Sequence, residues 1–164
     1  MNFEMTDDRR MLADSLARLL ANRYGTEHRT AVAYEAPYHD VGGWNALAEL
    51  GILYAFVSED AGGMGGAGFD LLAVFEQLGV ALCPEPLLGA AMAAPLLAEA
   101  GEDLEPLLSG EIRHALAVDE PEAPWDILAG STEATSDALT GRKTSVYGGQ
   151  AADRFLVSAK REGK

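Results

Sequence analysis

Residues 59–68 read EDAGGMGGAG, and within them Gly63-Met64-Gly65-Gly66-Ala67-Gly68 matches the spacing GxGxxG. In a dinucleotide-binding unit, such glycines let the backbone turn tightly and approach a pyrophosphate at the N-terminus of the next helix. That chemistry needs strand, glycine turn, helix and a second parallel strand within about 30 residues, closed by an acidic residue for the ribose. A helix is expected here over Phe69–Leu82, but the stretch after it, CPEPLLGAAMAAPLL, reads as helix rather than strand. Glu85 has roughly the right separation but lies between Pro84 and Pro86. No Gly-Lys-Ser/Thr is present, so a phosphate loop is excluded as well. The run therefore reads as a chain reversal in which glycine supplies positive φ and close backbone approach.

Two other groups of residues have reactive chemistry. Cys83 is the single cysteine, which rules out an intramolecular disulfide. It lies between two apolar helical stretches with no basic neighbour in sequence to favour a thiolate, so it reads as a packed structural thiol. His28 and His39 fall in a patternless stretch, 25–41, without further ligands at metal-binding spacing. They read as surface histidines of a loop, and no metal site is expected.

The elements that must position these residues change character near residue 110. Before it the pattern is helical. Thr6 is a suitable N-cap for a helix over Asp7–Tyr24, with Asp7 and Asp8 favoured by the helix dipole. Met11, Leu12, Leu16, Leu19, Leu20 and Tyr24 form its apolar stripe, and its arginines fall largely on a solvated face. A short helix, WNALAELG, follows Gly42-Gly43, buries Trp44, Leu47 and Leu50, and stops at Gly51. ILYAFVSED reads as a brief extended segment entering the core. LLGAAMAAPLLAEA over Leu87–Ala100 is a small-residue, strongly apolar helix that Pro95 should kink or divide and Gly101 should end. Leu104–Leu108 makes one more helical turn.

From Ile112 the texture is β. IRHALAV predicts a buried strand, DEPEAPWD a turn-rich connection, ILAGS and DALTGRKTSVYGG short strands, and DRFLVSAK another strand. A small antiparallel sheet ending here would expose an edge, so a β-domain completed by something else is expected. The fold class is α+β: an all-α helical domain over 1–110, then the beginning of a small β-barrel-like or β-sheet domain over 111–164.

Bulk composition limits the functions. At 48% hydrophobic the chain can bury a core. With 12 Lys and Arg against 26 Asp and Glu, the formal charge is −14, which opposes binding to nucleic acid or an anionic membrane surface. MNFEMTDDRR lacks the apolar region of a signal peptide, and no uninterrupted apolar run reaches about 18 residues. A cytoplasmic protein without a membrane span is the expectation.

With the motifs placed, the chain resembles the acyl-CoA dehydrogenases over nearly all its length. LGILYAFVSEDAGGMGGAGFDLLAVFEQLG is similar to their stretch with an acidic pair, a Gly-Gly turn and a helix ending Glu-Glu-Leu-Gly. LEPLLSGEIRHALAVDEPEAPWD resembles the passage into their first β-strands, where Thr-Glu-Pro is typical. ALTGRKTSVYGGQAADRFLVSAK resembles their Gly-x-Lys-x-aromatic-Ile-Thr-Asn segment and the strand after it.

The resemblance implies an FAD-dependent flavoprotein that introduces an α,β double bond into an acyl-CoA thioester of fatty-acid or steroid side-chain type. It also implies a homo- or hetero-oligomer of acyl-CoA dehydrogenase-like subunits, and an electron-transfer flavoprotein or similar acceptor. The family's catalytic base lies in most members in a C-terminal helical domain, so no catalytic residue is assigned here. Cofactor-facing positions carry over to Leu116, Val118, Asp119, Pro124, Trp125, Ser145 and Tyr147. Several depart from the family pattern. Asp119 stands for a Thr or Ser donor, and an ionised aspartate only accepts. Pro124 and Trp125 stand for Gly-Ser, and proline removes a backbone donor. Ser145 replaces an aromatic and Tyr147 a threonine. These changes favour an alternative, a non-catalytic or half-site subunit of a heteromeric enzyme; an alternative from a different class is a cofactor-free helical binding module.

Overall fold

The computed structural model of the 164-residue chain describes residues 5–65 and 68–161. Helices occupy the chain up to Leu108, and short strands begin at His114, in agreement with the α+β class.

Helix α1, Asp7–Arg23, starts where Thr6 accepts a hydrogen bond from the Arg9 amide. Leu16, Leu20 and the C-cap Tyr24 are buried, whereas Met11 is exposed, at the solvent edge of the expected stripe. The arginines do more than face solvent. Arg9 pairs with the buried Asp70 at 2.6 Å, and Arg23 pairs with Asp40 at 2.8 Å.

The expected loop over 25–41 contains helix α2, Thr26–Tyr34. None of its residues is buried, so no apolar stripe marks it in the sequence. His28 is half exposed beside Asp40, 3.1 Å away. His39, expected at the surface, is buried, with Nδ1 3.1 Å from the Pro37 carbonyl. Asp40 caps α3, Val41–Glu49, by accepting from the Gly42 amide. Trp44 is buried and donates its indole N–H to the Gly110 carbonyl at 2.7 Å.

Ile52–Phe56 is a 3₁₀ helix rather than an extended segment, and Glu59–Ala61 is a second one. Gly51 takes φ 82°, and its carbonyl accepts from the Tyr54 amide, which starts the tight turn. Ile52, Leu53, Ala55 and Phe56 are all buried, so the segment shows neither a strand nor a helix period.

Helix α4, Gly68–Ala81, packs along α1. Helix α5, Leu87–Ala100, runs undivided through Pro95, which lies on its exposed side, and ends at Gly101 with φ 72°. A Cβ on Gly89 would collide with the His114 carbonyl, so this glycine and its small neighbours allow α5 to lie against the first strand. Helix α6 is Glu105–Leu108.

Among the described residues the β-region contains a parallel two-stranded sheet and a mixed three-stranded one, not one antiparallel sheet. Strand β1, His114–Ala117, pairs in parallel with β4, Arg154–Val157, in the register His114 to Arg154 through Ala117 to Val157. Strand β2, Glu133–Ala134, is antiparallel to β3, Leu139–Thr140, and parallel to β5, Lys160–Arg161. Arg113 locks the β1–β4 register by donating to the Asp153 carboxylate and the Ala151 carbonyl. ILAGS is a 3₁₀ turn over Ile127–Ala129, because Asp126 accepts from the Leu128 and Ala129 amides. No described helix is long and apolar enough to cross a membrane.

Candidate functional site

The glycine run is spent on the fold. The amides of Gly63, Met64 and Gly65 donate to the Ser58, Tyr54 and Val57 carbonyls, which leaves them unavailable to a phosphate. A Cβ on Gly63 would strike the Val57 carbonyl, and one on Gly65 would strike the Asp70 carboxylate. Gly66 and Ala67 lie outside the described residues.

The structure brings two of the predicted segments together. The end of β1 lies beside residues 143–144, because the Thr144 amide donates to the Asp119 carbonyl at 2.9 Å. Lys143 reaches back under the same segment and donates to the Val118 carbonyl at 3.2 Å, the Glu120 carboxylate at 2.8 Å and the Ser158 hydroxyl at 2.9 Å. Leu116 faces Leu156 across the sheet, and Val118 is half-buried beyond the end of β1.

The other predicted positions project outward. Pro124 and Trp125 sit on the excursion between β1 and β2, which reverses through the Glu120–Ala123 bridge. Trp125 is 87% exposed with φ 69°, and the nearby Ile127 and Leu128 are also exposed. Ser145 is exposed with φ 52°. Tyr147 is half exposed and lines an open cleft of about 340 Å³ with Pro37, Tyr38, Pro84, Pro86 and Gly148. This cleft lies between the helical and β-rich parts, and no single sequence motif announces it.

Two buried polar clusters escaped the sequence reading. The first surrounds Glu120, whose side chain is 2% exposed. It accepts from the Ser131 amide and hydroxyl, the Thr132 amide and Lys143. The Lys143 hydrogen bond, helped by the Ser131 amide, holds the carboxyl well below the usual carboxylate range. Its sequence signal was an acidic residue and a lysine inside the two resembling segments.

The second cluster surrounds Glu85, behind the Pro84–Pro86 wall of the cleft. Its Oε1 accepts from the Tyr24 hydroxyl at 2.7 Å and the Asp40 amide at 3.2 Å, while Oε2 is buried without a partner. Burial pushes this carboxyl up to about 7, against the pull of both donors. The neighbouring Cys83 is half-buried, and burial pushes its thiol up to about 11, so it stays protonated at neutral pH.

Among the described residues no three His, Cys, Asp or Glu side chains are grouped to hold a metal ion. A flavin needs a flat apolar face and a few polar groups at its rim. Exposed Trp125 and Tyr147 offer aromatic faces, and the Trp125 indole and the Ser145 and Tyr147 hydroxyls can donate. The Val118 and Asp119 carbonyls are occupied within the chain. The residues present therefore fit one wall of a flavin site.

The model for "Acyl-CoA dehydrogenase, N-terminal domain" matches residues 6–105. Acyl-CoA dehydrogenase IpdE2 of Mycobacterium tuberculosis is 36% identical over 141 residues, covering 82% of this chain and 44% of that protein. The chain spans less than half the length of the curated relatives it matches. A chain of the ChsE4-ChsE5 complex from Mycobacterium tuberculosis superposes with a TM-score of 0.80 at 26% identity, over 99% of this chain and 46% of that one. An acyl-CoA dehydrogenase from Bacillus anthracis, solved with FAD, shares the fold with a TM-score of 0.77 at 24% identity, over 98% of this chain and 30% of that one. By its fold, the order of its motifs and these matches, the chain belongs to the acyl-CoA dehydrogenase family, whose cofactor is FAD.

Proposed function

We propose that this chain supplies the helical scaffold, over 1–110, and the first cofactor-facing wall, within 111–164, of an enzyme that introduces an α,β double bond into an acyl-CoA thioester. The observation that supports this reading most is the joining of residues 118–120 to 143–144, the segments that lead into the exposed Trp125 and the half-exposed Tyr147. FAD, when bound, supplies the acceptor for the β-hydride. Leu116 and Val118 would form the backbone floor of the wall, Trp125 and Tyr147 would supply aromatic faces to hold the flavin, and Ser145 would supply a hydroxyl donor.

Neither buried carboxylate suits the α-proton abstraction. Glu120 is enclosed by its own partners, and Glu85 is buried against Tyr24 and Asp40. By analogy with the family, the base is supplied from outside these residues, by the same polypeptide or a partner subunit, and the assembly is a homo- or hetero-oligomer of such subunits. Electrons pass to an electron-transfer flavoprotein or similar acceptor. The acyl group is of the fatty-acid or steroid side-chain type.

Asp119 favours a second reading, a subunit that completes a heteromeric enzyme without a full site of its own. A carboxylate in place of a hydroxyl donor repels developing negative charge on the flavin.

The test is anaerobic addition of a panel of acyl-CoA thioesters to the full polypeptide with any copurifying partner. Loss of flavin absorbance with one class of thioester is expected. One flavin per pair of unlike chains would favour the second reading. A well-folded protein that takes up neither flavin nor thioester would overturn both and leave a helical binding module.

A further inference from the structure

We infer that Lys143 and Glu120 are positioning residues that set the shape of the cofactor-facing wall. The inference rests on the function proposed above. Lys143 has three ammonium protons, and its three acceptors are the Val118 carbonyl, Glu120 Oε1 and the Ser158 hydroxyl. These belong to the residue just after β1, the start of the following loop and the segment after β4. The Glu120 carboxylate makes a second junction. It grips the Ser131 and Thr132 amides and the Ser131 hydroxyl at the far end of the loop that carries Pro124 and Trp125. Both ends of that loop are thus closed on one carboxylate, with Lys143 beneath it.

The geometry separates positioning from acid–base work. The Lys143 protons and both Glu120 oxygens are engaged inside the chain, and their side chains are 10% and 2% exposed. Toward the open cavity of about 190 Å³ that they help to line, both members of the pair are therefore already satisfied within the chain. The exposed groups, by contrast, are those the pair holds in place. Thr144, next to Lys143, bonds the Asp119 carbonyl, and Ser145 follows in a positive-φ conformation with φ 52°. Removing one partner would leave the other charge buried and unpaired. The Trp125 loop and the 143–147 segment would then lose their common anchor.

The experiment uses the full polypeptide with its partners, stripped of flavin and titrated with FAD. The variants are Lys143→Met, Lys143→Arg and Glu120→Gln. Affinity, the visible spectrum of bound flavin, far-ultraviolet circular dichroism and melting temperature are recorded. Lys143→Met should weaken FAD binding about tenfold to a hundredfold, the scale seen when residues that orient metal ligands are removed. It should also shift the bound-flavin spectrum while the helical signal is kept. Lys143→Arg should restore most of the affinity. If Lys143→Met does not fold, Glu120→Gln, which keeps shape and loses charge, must still weaken binding and alter the spectrum. Wild-type affinity and spectrum in Lys143→Met or Glu120→Gln would overturn the inference and leave the proposed function standing. Failure of Lys143→Arg to recover binding would reduce the pair to a folding element and overturn it too. A wild-type protein that takes up no FAD would instead overturn the proposed function, and this inference with it.

Discussion

Replacing Glu85 by glutamine should make the protein more stable at alkaline pH and leave it nearly unchanged at acid pH. Glu85 is 3% exposed, and its Oε2 has no partner. Burial raises its carboxyl from 4.5 to about 7, so the native state holds a proton that the unfolded chain releases. Between these values the native state binds more protons than the unfolded one, and stability therefore falls as pH rises. Above about 7 the ionised carboxylate is buried, at a cost bounded by the gap at about 1.4 kcal/mol per pH unit, or about 3 kcal/mol. Glutamine resembles the protonated acid: its carbonyl can still accept from the Tyr24 hydroxyl and the Asp40 amide. Thermal melts of both proteins from pH 5 to pH 8 should converge at the acid end. They should diverge in favour of the variant by several degrees at the alkaline end, at about 2–4 °C per kcal/mol for a chain of this size. A difference between the two that does not change with pH, or one that favours the wild type at pH 8, would refute the assignment of a raised carboxyl.

Gly43→Ala should destabilise by about 1–3 kcal/mol in denaturant titration, because the new methyl group meets the Tyr24 hydroxyl and the Glu85 carboxylate. Trp44→Phe should cost at least about 1–3 kcal/mol in the same assay, since the buried Gly110 carbonyl loses its 2.7 Å donor. Trp125→Ala should leave the melting temperature of the flavin-free protein within about 1 °C, because the ring is 87% exposed, yet weaken FAD binding in a titration. A large loss of stability with unchanged FAD affinity would reverse the role given to that loop.

The legible parts of the fold carry their own local signals. α1 was readable from a threonine cap, two acidic residues in its first turn and an apolar stripe, and α5 from its small apolar residues and Gly101. α2 was not, because it buries nothing and so shows no amphipathic pattern. The 3₁₀ segment over Ile52–Phe56 was hidden for the opposite reason, since it is buried on nearly every side. Strand pairing is not legible, because two-residue strands carry no register information and the parallel β1–β4 pair depends on contacts between Arg113 and Asp153, 40 residues apart in the chain.

The candidate site divides similarly. The resembling motifs pick out Leu116, Val118, Asp119, Pro124, Trp125, Ser145 and Tyr147, but give no role to the buried Glu120–Lys143 ion pair within the same segments. A lysine and a glutamate in polar loop sequence look like solvated charges until the fold closes around them. Glu85 shows the same limit, because it is buried against Tyr24 and Asp40, which are distant in sequence.

The central claim, a flavin wall built on this scaffold, is tested most directly by size exclusion of the protein from its native source, with protein and flavin absorbance read together. The account predicts flavin eluting with this polypeptide in an oligomer, either of one longer chain or of two unlike chains. A colourless, well-folded monomer of 164 residues that takes up no added FAD would contradict it.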